Sequence, residues 1–421
     1  MNKEKSHITV FEHEKLLVGK GITADQFIAL QRYYGNGVPF FKLIYNGVEF
    51  NEHVGVIQVG TTLIEVLPKA DKNPHSSNED KKWRDILINM LRAVGGFDIK
   101  QTSSSNLKIK PNTVLDLYFE MFVKEIEYLV HSGLVKQYRK KEANVTALKG
   151  SLQFNKHIQQ NLIHKERFFV RHTTYDVEHT LHFIIYKTIR LLKQINTNSA
   201  LHSRIGVLLL MFPEMPEIKV TESTFEKLNF NRKNQHYKKA IEISKLILLQ
   251  YHPDVSKGRN NILALMFDMN LLWEQFIFVS LRKHKLKNTI IKPQASKYFW
   301  KPDNGRRSKM KPDIVIEHES GNIVLDTKWK NLNGYNPSPE DLRQMYVYHE
   351  YFNANRVALI YPNNISSISS GMYLDKTTSD KTEKECSVIS IAVNNNIKNW
   401  QIEINDSLQN WITNSIKNKI T

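Results

Sequence analysis

The sequence has little of three features that would each point to a particular class of protein. It contains one cysteine, Cys386, among 421 residues, which excludes an internal disulfide and a zinc site built on several cysteines. No stretch approaches the roughly 18 uncharged apolar residues that a membrane-spanning helix needs. The first residues, MNKEKSHITVFEHEK, lack the apolar core of a secretory signal. We therefore expect a cytoplasmic protein that has no contact with a membrane.

Acidic residues are also scarce relative to basic ones. The chain has 59 Lys and Arg against 42 Asp and Glu, a formal net charge of +17. Such a surplus favours a polyanionic partner, because each phosphate contact releases condensed counterions. The alternative is a solvated basic surface that only keeps the protein in solution. Charge alone therefore leaves nucleic acid as one of two interpretations.

Length and changes of pattern predict an α+β protein with several domains. A chain of 421 residues exceeds what one core usually spans. Residues 1–80 are rich in strand patterns, including a hairpin expected over residues 54–67, and end in a polar linker at 71–80. Residues 81–258 carry apolar stripes at helical spacing, which predicts a mainly helical middle domain with a strand or two near 147–154.

Residues 259–421 mix strand and helix patterns, which predicts an α/β domain with a mixed central sheet. A long helix is expected first, over residues 262–284, and another over residues 339–352. The expected strands cover residues 289–292, 314–317, 323–329, 357–361 and 387–393, and a last helix is expected near 407–416.

Residues 311–330, KPDIVIEHESGNIVLDTKWK, predict a hairpin that carries the chemistry. A two-residue loop at Ser320-Gly321, or a four-residue loop over 319–322, would pair Asp313 with Lys328 and Val315 with Asp326. Because alternate residues share a face, Asp313, Asp326 and Lys328 would project from one side. The buried face would be the other, formed by Ile314, Ile316, Ile323 and Leu325. A three-residue loop would separate the two aspartates.

Two carboxylates and an ammonium on one face suit Mg²⁺-assisted cleavage of a phosphodiester. Carboxylate oxygens are hard ligands that hold Mg²⁺ while water and phosphate fill its remaining positions. Lys328 would orient the attacking water and stabilise charge that develops on the phosphorus centre. The alternative is a surface hairpin with a cross-strand Asp–Lys pair of little energetic weight.

Three residues outside the hairpin are candidates to complete this site. Glu274 lies among apolar residues on a predicted helix and would reach the metal, unless it simply lies on a solvated face. Gln344 and Tyr348 share one face of the helix that follows the hairpin. They would position the lysine, an aspartate or a phosphate, although Tyr348 fits core packing equally well.

The stretch before the hairpin is strongly basic and is interleaved with Tyr298, Phe299 and Trp300. Basic charge with aromatics beside a phosphate-cleaving site predicts a DNA-binding groove. A charge run by itself would more often be a solvated loop. The candidate DNA contacts are Arg306, Arg307, Lys309 and Lys311.

The motifs Pro312-Asp313 and Asp326-Thr327-Lys328, with Glu274 before them and Gln344 and Tyr348 behind, resemble the PD-(D/E)xK nuclease superfamily. Asp326 stands where many members have glutamate. The resemblance implies that Asp313, Asp326 and the Thr327 carbonyl bind the metal. It also implies that Lys328 is the catalytic lysine.

A narrower resemblance extends over nearly the whole chain. Residues 54–69, 83–91, 133–154 and 267–277 are similar to McrC, the nuclease subunit of McrBC modification-dependent restriction systems. The resemblance implies double-stranded, modified DNA as substrate and a hexameric McrB-like AAA+ GTPase as partner, engaged by the N-terminal β-rich region; residues 54–69 are the candidate contact. It departs most after Pro362.

The chain has no G-x-x-x-x-G-K-S/T loop, so any GTP would be bound by the partner. Three hypotheses remain open. The chain is an endonuclease subunit that a GTPase drives, a scaffold that activates the GTPase without cutting, or a stand-alone restriction nuclease.

Overall fold

The protein is described by a computed structural model, which covers residues 7–35, 37–69, 77–95, 113–252, 261–283, 289–318, 321–332, 334 and 336–417. The chain forms two compact units. Unit 1 combines residues 1–106 with 254–421, and unit 2 is residues 107–253. Divisions at residues 80 and 258 are therefore not the boundaries of the compact units. Most of the expected linker, residues 71–76, lies outside the described residues.

The first part of unit 1 is rich in strands, as its β-branched sequence predicts. Its elements are β1 (His7–Phe11), β2 (Lys15–Leu17), α1 (Ala24–Tyr34), β3 (Phe41–Ile44), β4 (Gly47–Phe50), β5 (His53–Val59), β6 (Thr62–Leu67) and α2 (Ser77–Val94). The hairpin predicted over residues 54–67 is the β5–β6 pair. Nearly all of its side chains are buried, so residues 54–69 expose little surface to a partner.

Unit 2 has the predicted helices and more sheet than expected. Its elements are α3 (Val114–Ser132), β7 (Gln137–Val145), β8 (Ser151–Leu152), α4 (Phe154–Asn161), β9 (Phe168–Asp176), α5 (Thr180–Ile195), α6 (Ser199–Met211), α7 (Glu222–Glu226), α8 (Lys238–Leu249) and β10 (Tyr251–His252). The long β7–β9 pair was missed because β7, QYRKKEANV, is mostly polar and shows little apolar alternation.

The last part of unit 1 holds the predicted mixed sheet. Its elements are β11 (Ile262–Asp268), α9 (Met269–Lys283), β12 (Ile290–Pro293), β13 (Lys297–Trp300), β14 (Ser308–Met310), β15 (Ile314–His318), β16 (Gly321–Thr327), α10 (Pro339–Phe352), β17 (Ala354–Asn363), β18 (Ser367–Leu374), β19 (Lys381–Ala392) and α11 (Ile397–Lys417). Six strands pair in the order β12-β15-β16-β17-β19-β18. The β16–β17 and β17–β19 pairs are parallel, and the others are antiparallel.

The prediction of one helix over residues 262–284 is wrong for residues 262–268. Residues 262–268, ILALMFD, form β11, which pairs antiparallel with β5 from the N-terminal part. A continuous apolar run has no period, so its sequence does not distinguish a buried strand from a helix. The pairing joins the two sequence segments of unit 1 in one sheet, where β1, β6, β5 and β11 are neighbours in that order.

Both faces of the β15–β16 hairpin are largely buried, so the prediction of one buried face was too narrow. The expected set, Ile314, Ile316, Ile323 and Leu325, is at most 5% exposed. On the other face, Val315 and Val324 pack in one cluster with Met345 and Tyr348 of α10. The carboxylates of the candidate site therefore lie at the edge of a covered face.

Helix α2 also contacts α9 and α11, so residues 77–94 pack with the C-terminal part of unit 1. Within the described residues, no helix has the length and apolar character to cross a membrane.

Candidate active site

The β15–β16 hairpin brings the two aspartates together in a register that differs from the predicted one. His318 pairs with Gly321 and Val315 with Val324, so the turn is at residues 319–320, which lie outside the described residues. The predicted pairs of Asp313 with Lys328 and of Val315 with Asp326 are therefore wrong by two residues. A shift of two keeps every side chain on its face. Asp313 and Asp326 therefore still lie on one face of the hairpin, as predicted.

The register is set partly at Gly321. This residue has φ of +118°, and a Cβ placed there would lie 2.1 Å from the Asn355 side-chain nitrogen. Only glycine adopts this backbone conformation without strain. The second strand consequently begins at Gly321 itself, and the turn falls one residue earlier than the Ser-Gly pair suggests.

Asp313 is held by the end of β16. Its Oδ2 accepts hydrogen bonds from the Thr327 backbone N–H at 2.7 Å and from the Thr327 hydroxyl at 2.8 Å. Charge-assisted hydrogen bonds of this length fix a carboxylate firmly. The resemblance implied that Thr327 binds the metal through its backbone carbonyl alone. The hydrogen bonds from its N–H and hydroxyl to Asp313 were not predicted.

Asp326 and Lys328 form an ion pair at the same strand end. The Lys328 Nζ lies 2.8 Å from Asp326 Oδ2, and Asp326 is 2% exposed. Burial and the nearby charge of Asp313 raise the pKa of Asp326 to about 6, although Lys328 opposes the shift. Burial lowers the pKa of Lys328, but the charges of Asp326, Asp341 and Asp313 outweigh it and raise that pKa overall. The ammonium thus stays charged.

Glu274 is part of this group rather than a solvated surface residue. It is 9% exposed, and burial together with the charge of Asp313 raises its pKa to about 7. The Gln294 side-chain amide donates a hydrogen bond to Glu274 at 2.9 Å, and the Gln294 backbone N–H donates to the Asp313 carbonyl at 2.8 Å. Gln294 was missed from the sequence, where a glutamine after Pro293 carries no signal.

Gln344 and Tyr348 lie close together on α10, as their spacing predicts. The Lys328 Nζ donates to Gln344 Oε1 at 3.4 Å, and the Gln344 amide donates to the Tyr348 hydroxyl at 2.8 Å. Tyr348 is 3% exposed and belongs to the core cluster, and a positioning role for either residue stays a prediction. Asp341, on the same helix, was not foreseen. It lies 3.9 Å from Lys328 and 2.7 Å from Lys330.

The donor set fits a hard divalent cation. Two carboxylates that repel each other gain from a cation between them. Among the described residues, the buried Asp326 Oδ2 contacts the Lys328 ammonium at 2.8 Å and accepts no hydrogen bond from another group, so it keeps a lone pair for a ligand. Across those residues, no three acidic, histidine or cysteine side chains are already arranged around one metal position. Asp313 and Asp326 would hold the ion, with Glu274 behind them.

Trp329, directly after Lys328, fixes the end of this strand to three other elements. Its indole N–H donates to Glu12 Oε1 at 2.9 Å, and its backbone N–H donates to the Asn270 side chain at 3.2 Å. Its ring packs edge-on against Trp83 and Trp273. Residues far apart in sequence therefore orient the segment that carries the lysine.

Glu12 is expected to make the stability of unit 1 depend on pH. Burial and the nearby Glu52 raise its pKa to about 7, although hydrogen bonds from Lys69 and Trp329 oppose the shift. A raised carboxyl pKa means that the folded state binds the proton more tightly. The contribution of Glu12 to the free energy of unfolding is complete below its unfolded pKa near 4.5. It is lost as the pH rises through the folded pKa of about 7, and the loss is on the order of 3 kcal/mol.

Glu12→Gln keeps an oxygen that accepts both hydrogen bonds and removes the titration. We expect this variant to match the parent in urea unfolding at pH 5 and to exceed it at pH 8. Equal differences at both pH values would show that Glu12 does not titrate between them.

The four candidate DNA contacts all lie on one short stretch beside the site. Arg306, Arg307, Lys309 and Lys311 are exposed, and Lys311 is close enough to Glu274 to lower its pKa. Lys309 belongs to β14, while Arg306 and Arg307 lie in the loop before it. The stretch ends at Pro312, so its positive charge leads directly to Asp313.

Comparison with known proteins gives a family and a fold. A family model described as McrBC 5-methylcytosine restriction system component matches residues 48–362. One chain of a refined half-complex from the tetradecameric assembly of Thermococcus gammatolerans McrB AAA+ hexamers with bound McrC is similar in structure. The TM-score is 0.68 at 20% identity, over 96% of this chain and 100% of that one.

A chain of the cryo-EM structure of the Thermococcus gammatolerans McrBC complex matches with a TM-score of 0.47 at 19% identity, over 66% of this chain and 88% of that one. No protein with a curated description matches this sequence.

Proposed function

This chain belongs to the McrBC 5-methylcytosine restriction system component family, and on that basis we propose that it is the DNA-cleaving subunit of a McrBC-like complex. In this proposal it acts as a Mg²⁺-dependent endonuclease on modified double-stranded DNA when assembled with a McrB-like AAA+ GTPase, whose hydrolysis it stimulates. The observation that carries the proposal is the ion pair between the buried Asp326 and Lys328, beside Asp313 at the C-terminal end of β16.

Each residue has a distinct part in the proposed reaction. Asp313, Asp326 and the Thr327 carbonyl would hold Mg²⁺, with Glu274 close to Asp313. A metal held there would supply Lewis-acid polarisation of the phosphate and a lower pKa for a bound water molecule. Lys328, aligned by Asp326 and Gln344, donates hydrogen bonds to the attacking water and to the phosphate oxygen that gains charge. Arg306, Arg307, Lys309 and Lys311 hold the DNA backbone beside these groups.

The proposed partner is suggested by the comparison with solved structures. The structural relative is a complex of McrB AAA+ hexamers with bound McrC. This chain lacks a phosphate-binding loop of its own, which supports a division in which the partner binds GTP and this chain cuts.

Reconstitution tests the proposal against both alternatives. The purified chain, a McrB-like GTPase, GTP, Mg²⁺ and methylated plasmid DNA are combined, and each component is then omitted in turn. We expect cleavage only in the complete mixture. Stimulated GTP hydrolysis without cleavage in any mixture would support the scaffold, and cleavage by the chain with Mg²⁺ alone would support the stand-alone nuclease.

A further inference from the structure

The β13–β14 hairpin exposes three consecutive aromatic side chains beside the candidate active site. Tyr298, Phe299 and Trp300 are 54%, 48% and 56% exposed. Large aromatic side chains are normally buried or engaged, because each removes a large apolar area from water. Phe299 also packs edge-on against Tyr351, with 6.5 Å between the ring centres, yet about half of each of the three side chains stays exposed and available to a ligand.

The β13–β14 hairpin is held in place by contacts with α10 and with the core cluster. At its base, Met310 is buried in the cluster that contains Tyr348. The Lys297 Nζ donates to the Tyr351 carbonyl at 2.7 Å and lies 5.1 Å from the centre of the Phe352 ring. From Met310 the chain reaches Asp313 in three residues. The aromatic side chains are therefore held at a fixed distance from the candidate metal site.

Cations surround the aromatic surface. Arg307 and Lys309 lie 5.6 Å and 4.9 Å from the centre of the Tyr298 ring, and Arg306 is exposed next to them. In the part of the chain that the structure describes, none of these three forms an ion pair with a carboxylate. The surface thus offers flat apolar rings and uncompensated positive charge together, which matches a ligand with aromatic faces and phosphates.

A closed DNA duplex presents phosphates but not base faces, since each base is covered by its neighbours. Side chains that stack on bases need unpaired nucleotides or a step that has been opened. We propose that the β13–β14 hairpin binds DNA at unpaired or unstacked nucleotides next to the scissile phosphate. Phe299 and Trp300 stack on the bases, and Arg306 and Arg307 hold the adjoining phosphates. The inference rests on the proposed function in taking DNA as the ligand.

Binding by a cleavage-deficient chain tests the inference. The full chain with Asp326→Asn is titrated with two labelled duplexes of equal length, one fully paired and one with a short unpaired centre, and anisotropy is measured. We expect the second duplex to bind at least about fivefold more tightly, since one stacked base contributes about 1–3 kcal/mol, or about 5- to 150-fold.

Four variants separate the two kinds of contact. Phe299→Ala with Trp300→Ala should abolish the preference and leave the affinity for paired DNA unchanged. Phe299→Tyr with Trp300→Phe should restore the preference. Arg306→Ala with Arg307→Ala should weaken both duplexes alike and reduce the salt dependence. Tyr45→Ala, which removes an aromatic side chain that is 98% exposed elsewhere in unit 1, is the matched control and should change nothing.

Equal affinity for the two duplexes, or a preference that survives the double alanine variant, would overturn the inference. So would a double variant that binds DNA normally but no longer binds the GTPase or a second copy of the chain, since the hairpin would then be a protein contact. Neither result depends on cleavage. The nuclease proposal would stand if the preference failed, and the preference is measurable if the chain does not cut.

Discussion

Asp326→Asn is expected to lower DNA cleavage by the reconstituted complex by about 10³-fold or more, the scale on which one preorganised charge contact at a reacting phosphate acts. Asparagine has nearly the same shape, so the change is one of charge. It removes a proposed metal ligand and the partner of Lys328, which lies 2.8 Å away. Stimulated GTP hydrolysis by the partner should be unchanged, because the substitution is buried at the strand end.

Glu317→Gln is the matched control. Glu317 lies on the same hairpin, but its side chain is 38% exposed and pairs with Lys292 at 2.6 Å. We expect normal cleavage from this variant. Unchanged cleavage by Asp326→Asn, with both variants folded by circular dichroism, would remove Asp326 from the active site. Loss of both cleavage and GTPase stimulation would indicate a disrupted complex, and the Glu317 variant then shows whether the hairpin tolerates a lost charge.

Lys328→Met should lower the single-turnover cleavage rate by about 10²- to 10⁴-fold, the range expected for one positioned proton donor or charge-stabilising group. Methionine retains most of the apolar stem, which matters because Lys328 is only about a quarter exposed, at 26%. The Mg²⁺ concentration at half-maximal rate should stay close to that of the parent. A lysine that aligns water affects the rate, whereas a lost carboxylate ligand such as Asp326 also raises the metal requirement.

Two further variants test whether the effect is specific to the Lys328 ammonium. Lys328→Arg should not restore the rate, since the larger guanidinium does not fit between Asp326 and Gln344 with the same contacts and holds its proton more tightly. Lys292→Met removes a lysine that is ion-paired away from the site and serves as the control. A Lys328→Met enzyme with normal rate would assign the ion pair a structural function only.

Local pattern predicted much of the candidate site because its residues lie on one hairpin and two helices. Residues 339–352 were expected to be helical, and α10 has those bounds. Strand alternation placed Asp313 and Asp326 on one face, and an error of two residues in register did not change that. The correct turn depended on Gly321 and Asn355, which meet only in the folded chain.

Contacts between distant parts of the chain could not be predicted from the sequence. β11 is uniformly apolar, and its partner β5 lies about two hundred residues earlier. Nothing in the surroundings of Glu12 indicates that its carboxylate accepts a hydrogen bond from Trp329. Gln294 acquires its function from a backbone with φ of +50°, a conformation that non-glycine residues rarely adopt. The roles of the site residues and of Mg²⁺ stay predictions that the variants above test.

The pairing of β5 with β11 has a consequence for how the protein is made. A nascent chain that has not yet emerged through residue 268 holds β1, β5 and β6 without the strand that completes their sheet, and unit 2 is synthesised in between. Pairing across so long a separation is slow, because loop closure precedes the contact. Any ribosomal product interrupted within unit 2 therefore lacks both the β11 strand that pairs with β5 and every residue of the candidate site.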